Sequence, residues 1–419
     1  MRREKQSLSF FPNPTVKSLV ASLLAILLGV LVGFVIMLFT NPAGAPAGLG
    51  KIFMGSLSHP RGAVIGIGQL LFRATPLIFT GLAVGFAFKT GLFNIGASGQ
   101  YMMGIFVAMA IGIQGTALGV MQWPIALLAG GLAGAIWGAI PGIFKALFNV
   151  HEVITSIMFN WIAVYFINGL LRNVLGQALI NPATNRSYPI AQTGRTPYAG
   201  LDKIFPNTGA DLGIIIGIVA CIIVYLILKK TVFGKELITV GLNKHAAKYA
   251  GVNEKKAIIL SMTIAGFLAG IGGALFILAP SIRNLGNTYS VENNILNEGF
   301  DGITIALLGN SHPIGILFAT FFVQYVKIGG QYMQSLGFKP EIVNVIIGII
   351  LYFSAFSLIV GRYAAKLFRR KSKDDESKQL EELSETALEG QPDEITTSHT
   401  HDKVSTEVHA GGDVKWLPS

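Results

Sequence analysis

Apolar residues in this chain come in long unbroken runs, not in the short alternations of a sheet protein. The runs cover residues 18–39, 64–88, 96–114, 123–148, 153–171, 212–229, 257–279, 295–309, 313–330 and 342–361. A helix rises about 1.5 Å per residue, so about 20 apolar residues cross a hydrocarbon core of about 30 Å. The pattern predicts an all-α polytopic membrane protein with about ten transmembrane helices. The eighth run, 295–309, is interrupted by Asn297, Glu298 and Asp301, which predicts a short or broken helix. The first run follows Arg2, Arg3 and Lys5 and precedes the small residues Ala43, Gly44 and Ala45, like a secretory leader. It is longer than the 7–15 apolar residues of a leader, so a retained first span is expected.

Charge orients the spans. Residues 229–256 hold seven Lys against two Glu, and the N-terminus and the stretch from Arg362 to Lys371 are also basic. Positive flanks favour the cytoplasmic side. Both termini are then cytoplasmic, which needs an even number of spans. The connections 172–211 and 280–294 fall outside. Three parts follow: a cytoplasmic N-terminus (1–17), a transmembrane domain (18–370) with a cytoplasmic loop at 231–256, and a tail (371–419).

Composition agrees with this picture. Hydrophobic residues make up 52% of the chain and charged residues 13%, about half the charged share of a soluble domain. The net charge of +10 hides a split, because the tail is acidic and the body strongly basic. The basic residues flank apolar runs and form no exposed basic face, so nucleic acid is not an expected partner and the bilayer is. The tail is too polar to bury a core and is expected to be disordered. Its His399, His401 and His409 are too sparse for a metal site. Cys221 is the sole cysteine, so no disulfide framework and no cysteine metal site is expected.

The chain also repeats. An ungapped shift of 189 residues lays Pro124-Ile125 on Pro313-Ile314, Glu152 on Glu341 and Gly81 on Gly270. Spans 2–5 fall on spans 7–10. The copies are five spans apart, so they point opposite ways through the membrane, as in transporters with inverted repeats. Gly130, Gly134, Gly138 and Gly142 recur every four residues, and Gly266/Gly270 share the spacing. Small residues so spaced let helix backbones approach closely in lipid.

Candidate chemistry is sparse. HExxH and GxSxG are absent, and Gly50-Lys51 and Gly234-Lys235 lack the following Ser or Thr of a phosphate loop. The chain is not expected to be an enzyme, to hydrolyse ATP or to hold a cofactor or metal. Few ionisable residues fall at membrane depth: Glu152 and Glu341 start spans, Arg73 is near one end, and Asp301 sits in the weak run. An ion-coupled secondary carrier, which usually needs such groups, is the rival expectation. The polar groups within spans are mostly amides, suited to an uncharged solute with several hydrogen-bonding groups. Asn94, Gln100, Asn160 and Asn344 are the candidates to line a path, with interhelical bonding as their alternative role; Asn168 and Gln324 are further amides. In the basic loop Asn243 can cap a short helix and Gly251 can end it. The two turns between them carry Ala246, Ala247 and Ala250, a small-faced surface able to dock into a groove on a partner.

These features resemble a known family. The stretch 243–251, with Ala246-Ala247 ahead of Gly251, resembles the coupling loop of ABC importer permeases. GLFNIGASGQ at 91–100 is similar to the GLFNIGAEGQ stretch of permeases of the branched-chain amino acid/simple sugar/nucleoside group. Ser98 replaces a common Glu there, so no role for that carboxylate carries over. GFDGITIALLGN at 299–310, followed by Pro313 and Gly315, resembles the group's signature ahead of the ninth span. The resemblance covers about residues 15–365 and is greatest to nucleoside permeases. It implies a type II ABC importer permease in a bacterial plasma membrane, with simple sugars or branched-chain amino acids as the alternative solutes. It implies ATP-binding ABC subunits inside, a second permease subunit alongside, and a lipoprotein or periplasmic solute-binding protein outside. It makes Glu236, Gly241, Asn243, Ala246, Ala247 and Gly251 the candidate ATPase-coupling residues.

Overall fold

The computed structural model describes residues 14–281 and 286–355. The tail at 371–419, its histidines and most of the N-terminal segment lie outside the described residues. Each of the ten apolar runs contains a helix: α1 (Pro14–Thr40), α3 (Ala63–Lys89), α4 (Ala97–Gln114), α5 (Gln122–Phe148), α6 (Glu152–Asn173), α9 (Gly213–Lys230), α12 (Glu254–Leu278), α13 (Glu298–Leu308), α14 (Pro313–Met333) and α15 (Pro340–Ala355). Helix α2 (Ala45–Met54) lies between the first two, single turns α7 (Gly176–Leu179) and α8 (Leu201–Ile204) lie in the long connection, and α10 (Val232–Leu242) and α11 (Lys244–Tyr249) form the basic loop. Six helical stretches among the described residues are long and apolar enough to cross a membrane. One of the six, 97–148, is α4 and α5 together, broken by a 3-10 turn in which Gly119 takes φ 54°. Helix α13 has only 11 residues, about 16 Å of rise, roughly half a hydrocarbon core.

The repeat is visible in the packing. Helix α12 packs on α3, α4 and α5, and its counterpart α3 packs on α12, α13 and α14. Thr90 Oγ1 bonds Ser261 Oγ, while Gly272 lies against Pro76 and Phe79, so α3 and α12 run antiparallel, as inverted copies must. The uniform shift of 189 fails in one place. It would put the image of α4 at 286–303, but α13 begins only at Glu298. The packing shows the offset: Gly104 of α4 sits on Gly270, and Gly302 of α13 on Thr80.

The glycine rows close the core seam. A Cβ at Gly138 would lie 2.7 Å from Met262 O, and one at Gly130 would lie 2.8 Å from Ala274 Cβ. Only glycine permits this approach of α5 to α12. The outward sides are apolar: Ile218, Val219, Ile222 and Ile223 of α9 are all exposed, as lipid contact requires. Helix α2 was not predicted by the apolar runs. It carries Pro in its first turn and is held to α14 by Tyr325 Oη donating to Phe53 O at 2.9 Å.

Candidate functional site

The basic loop folds as two helices at a corner. Thr231 caps α10 by accepting from Gly234 N at 3.0 Å. Asn243, extended at φ −159°, ends α10 and starts α11; its Oδ1 accepts from His245 N at 3.0 Å and Ala246 N at 3.1 Å. Both bonds satisfy helix-start donors that would otherwise be orphaned. Gly251 takes φ 80° and turns the chain so that Val252 N reaches back to Ala247 O at 3.0 Å. Ala247 is fully buried, whereas Leu242 is 82% and Tyr249 95% exposed. Ala246, Gly251 and Glu236 are exposed as well. The corner thus presents a small apolar patch bordered by Lys244 and Lys248. Gly241 does something different: a Cβ there would lie 2.7 Å from Gly91 N. The backbone of α10 therefore rests directly on the left-handed turn (Gly91, φ 72°) that ends α3.

The amides divide into two places. Asn94 and Gln100 are fully buried and bond each other twice, at 2.9 and 3.0 Å. Asn160 accepts from Gly99 N at 2.8 Å and donates to Ile95 O at 3.0 Å. These three fix the 91–100 turn against α6, and their hydrogen-bonding groups are engaged there. Asn168 donates to Glu292 O at 2.8 Å in the connection ahead of α13. Asn344 and Gln324 instead line a cavity of about 500 Å³.

That cavity lies among α3, the start of α9, the end of α12, α13, α14 and α15. Phe72 and Phe276 supply aromatic faces, and Asn297, Gln331 and Gln334 add further amides. Five ionisable residues converge on it: Arg73, Asp211, Glu298, Asp301 and Lys327. Lys327 Nζ bonds Asp301 Oδ2 at 2.6 Å. Asp211, just ahead of α9, is buried, and burial pushes its carboxyl up to about 7 against the opposing pull of Thr196 and Gly213 N. The cavity gathers more ionisable groups than the sequence singled out. Glu152 is taken up at a helix start, by Lys145 at 2.9 Å; Lys327 escaped the sequence reading, and Glu298 entered it only as an interruption of the eighth run. A lysine inside an apolar run was the available signal.

Residues 66–355 match the family described as branched-chain amino acid transport system / permease component. The chain is 37% identical over 312 residues to the guanosine ABC transporter permease NupP of Bacillus subtilis, covering 74% of this chain and 86% of that protein. It is 35% identical over 315 residues to the nucleoside ABC transporter permease NupB of Lactococcus lactis, covering 75% and 84%. The glucose ABC transporter permease TsgB13 of Haloferax volcanii is 30% identical over 315 residues, covering 74% and 81%. No solved structure matches the chain.

Proposed function

The chain belongs to the branched-chain amino acid transport system permease-component family, and from that premise we propose that it forms the translocation path for nucleosides in an ATP-driven importer. The observation that carries the solute is the cavity. Its size suits a small organic solute, its amides suit many hydroxyl and ring-nitrogen bonds, and Phe72 and Phe276 suit a flat base. Similarity to guanosine and nucleoside permeases supports the same choice over sugars. The path is assigned to the cavity lining, with Asn344 the member retained from the sequence expectation.

ATP-binding subunits dock on the α10–α11 corner from the cytoplasm, where Leu242, Ala246 and Tyr249 are the contact patch. Asn243 holds the corner rigid, and Gly241 passes its motion to the end of α3. A second permease subunit completes the path, and a solute-binding protein delivers from outside. Closure of the ATPases then rocks the two repeats about the cavity, exposing it to one side at a time.

The test is uptake of labelled nucleosides, sugars and branched-chain amino acids in cells with and without this chain, beside Ala246→Glu and Gly251→Glu. Selective loss of nucleoside uptake, with both variants present in the membrane but inactive, is the expected result. Intact nucleoside uptake with lost sugar or amino-acid uptake would refute the solute, and full activity of both variants would refute the docking site.

A further inference from the structure

Of the five ionisable residues in the cavity, three are committed within the protein. Asp301 and Lys327 pair with each other at 2.6 Å, and Asp211 accepts from Thr196 and from Gly213 N. Glu298 differs. Its Oε2 is buried and has no hydrogen-bond partner among the described residues. A buried carboxylate oxygen without a partner is costly, and such an atom in a folded protein calls for an explanation.

Packing fixes the roll of α13 about its axis. The next residue, Gly299, lies against the backbone of Ser98, and a Cβ there would overlap it. One turn on, a Cβ at Gly302 would lie 2.7 Å from Thr80 O. The helix is held at two glycines by backbone atoms that cannot yield, with Glu298 lining the cavity. Phe72 and Phe276 line the same cavity, so a flat ring and a donor-rich edge can be received together.

We propose that Glu298 is a specificity-determining residue of the translocation path, whose carboxylate accepts a pair of adjacent O–H or N–H donors from the passing nucleoside. This rests on the nucleoside function proposed above. A carboxylate has two acceptor oxygens and takes two parallel donors at once. The 2′,3′-diol of ribose offers such a pair, and so does the N1–H and exocyclic amine edge of guanine.

The experiment measures uptake of guanosine, 2′,3′-dideoxyguanosine and inosine in cells carrying the full transporter, with wild-type chain, Glu298→Gln or Glu298→Ala. All three solutes arrive through the same binding protein, whose preference cancels when each variant is divided by wild type. Guanosine uptake should fall about tenfold or more in Glu298→Ala, the value of a hydrogen-bonded charged group, and less in Glu298→Gln. A much smaller fall for dideoxyguanosine assigns the contact to the ribose diol; a much smaller fall for inosine assigns it to the guanine edge. Equal falls for all three solutes, or none, overturn the proposal. Should Glu298→Ala fail to reach the membrane, the isosteric Glu298→Gln carries the same comparison. A wild-type chain that moves sugars or amino acids but none of the three nucleosides would overturn the nucleoside function itself, a separate and recognisable result.

Discussion

Gly241→Ala tests how docking motion leaves the α10–α11 corner. The added Cβ would stand 2.7 Å from Gly91 N and Thr90 C and 2.8 Å from Lys89 O. All three are backbone atoms at the end of α3, so no side chain can swing aside. Restoring ordinary contact near 3.5 Å requires the two backbones to part by about 0.8 Å. Overpacking of this kind costs about 1–3 kcal/mol. Alanine's better helix propensity offsets about 0.8–1 kcal/mol of that. The net is up to about 2 kcal/mol against the seated corner, a factor of up to about 30 in its population. The assay is ATP-dependent uptake per unit of protein in the membrane, with ATPase activity of the purified complex alongside. Uptake should fall several-fold or more at near-normal protein levels, with hydrolysis less affected than transport. Gly169→Ala is the control, because a Cβ there, in helix α6 away from the corner, meets open space. Undiminished uptake in Gly241→Ala would refute the idea that this backbone crossing transmits the motion.

Further outcomes follow from the same structure. Gly138→Val places branched bulk where Met262 O is 2.7 Å from a bare Cβ; thermal unfolding in detergent should show loss of several kcal/mol, or no folded protein. Lys327→Met leaves Asp301 without its partner and should lower the melting temperature more than Lys327→Met with Asp301→Asn does, since an unpaired charge costs more than an absent pair. Asn243→Ala removes the oxygen that accepts from both helix-start donors of α11 and should cost about 1 kcal/mol at the corner, read as a modest fall in uptake. Asp211 has its carboxyl raised to about 7, so the fold favours its protonated form. Its contribution is fully present below the ordinary carboxylate range and is lost as pH rises through about 7. Asp211→Asn should therefore flatten the fall in melting temperature between pH 5 and 8, and an unchanged profile would refute that origin.

The helical bundle was legible because lipid imposes long apolar runs, and the glycine rows announced close helix packing by their spacing, though not that α5 and α12 are the partners. The delayed start of α13 was not. Ile295 and Leu296 continue the apolar pattern, although the helix begins at Glu298; Asn297, Glu298 and Asp301 told only that it would be short or broken. The amides show a second limit. Burial of Asn94, Gln100 and Asn160 was readable, but whether a buried amide faces a path or a neighbouring turn depends on side-chain direction. Asn94 and Gln100, six residues apart, satisfy each other. The cavity is non-local: Arg73, Asp211, Glu298 and Lys327 come from four separate segments, and no local spacing brings them together. The geometry of the α10–α11 corner was the most legible feature, since capping and the left-handed glycine are local events.

The brevity of α13 bears on hydration. Its 11 residues leave the segment before it, 286–297, largely without helical hydrogen bonds. Backbone without helical bonds needs protein or water to meet its polar groups. Asn168 and Asn185 serve two of those carbonyls, at Glu292 and Val291. The space beside α13 is also lined by amide, carboxylate and basic side chains, a wall polar enough to hold water. A solute entering it exchanges one aqueous shell for amide and carboxylate contacts and does not partition into oil. Its passage is then governed by how closely the wall replaces lost water, which favours polar nucleosides over greasy analogues of the same size.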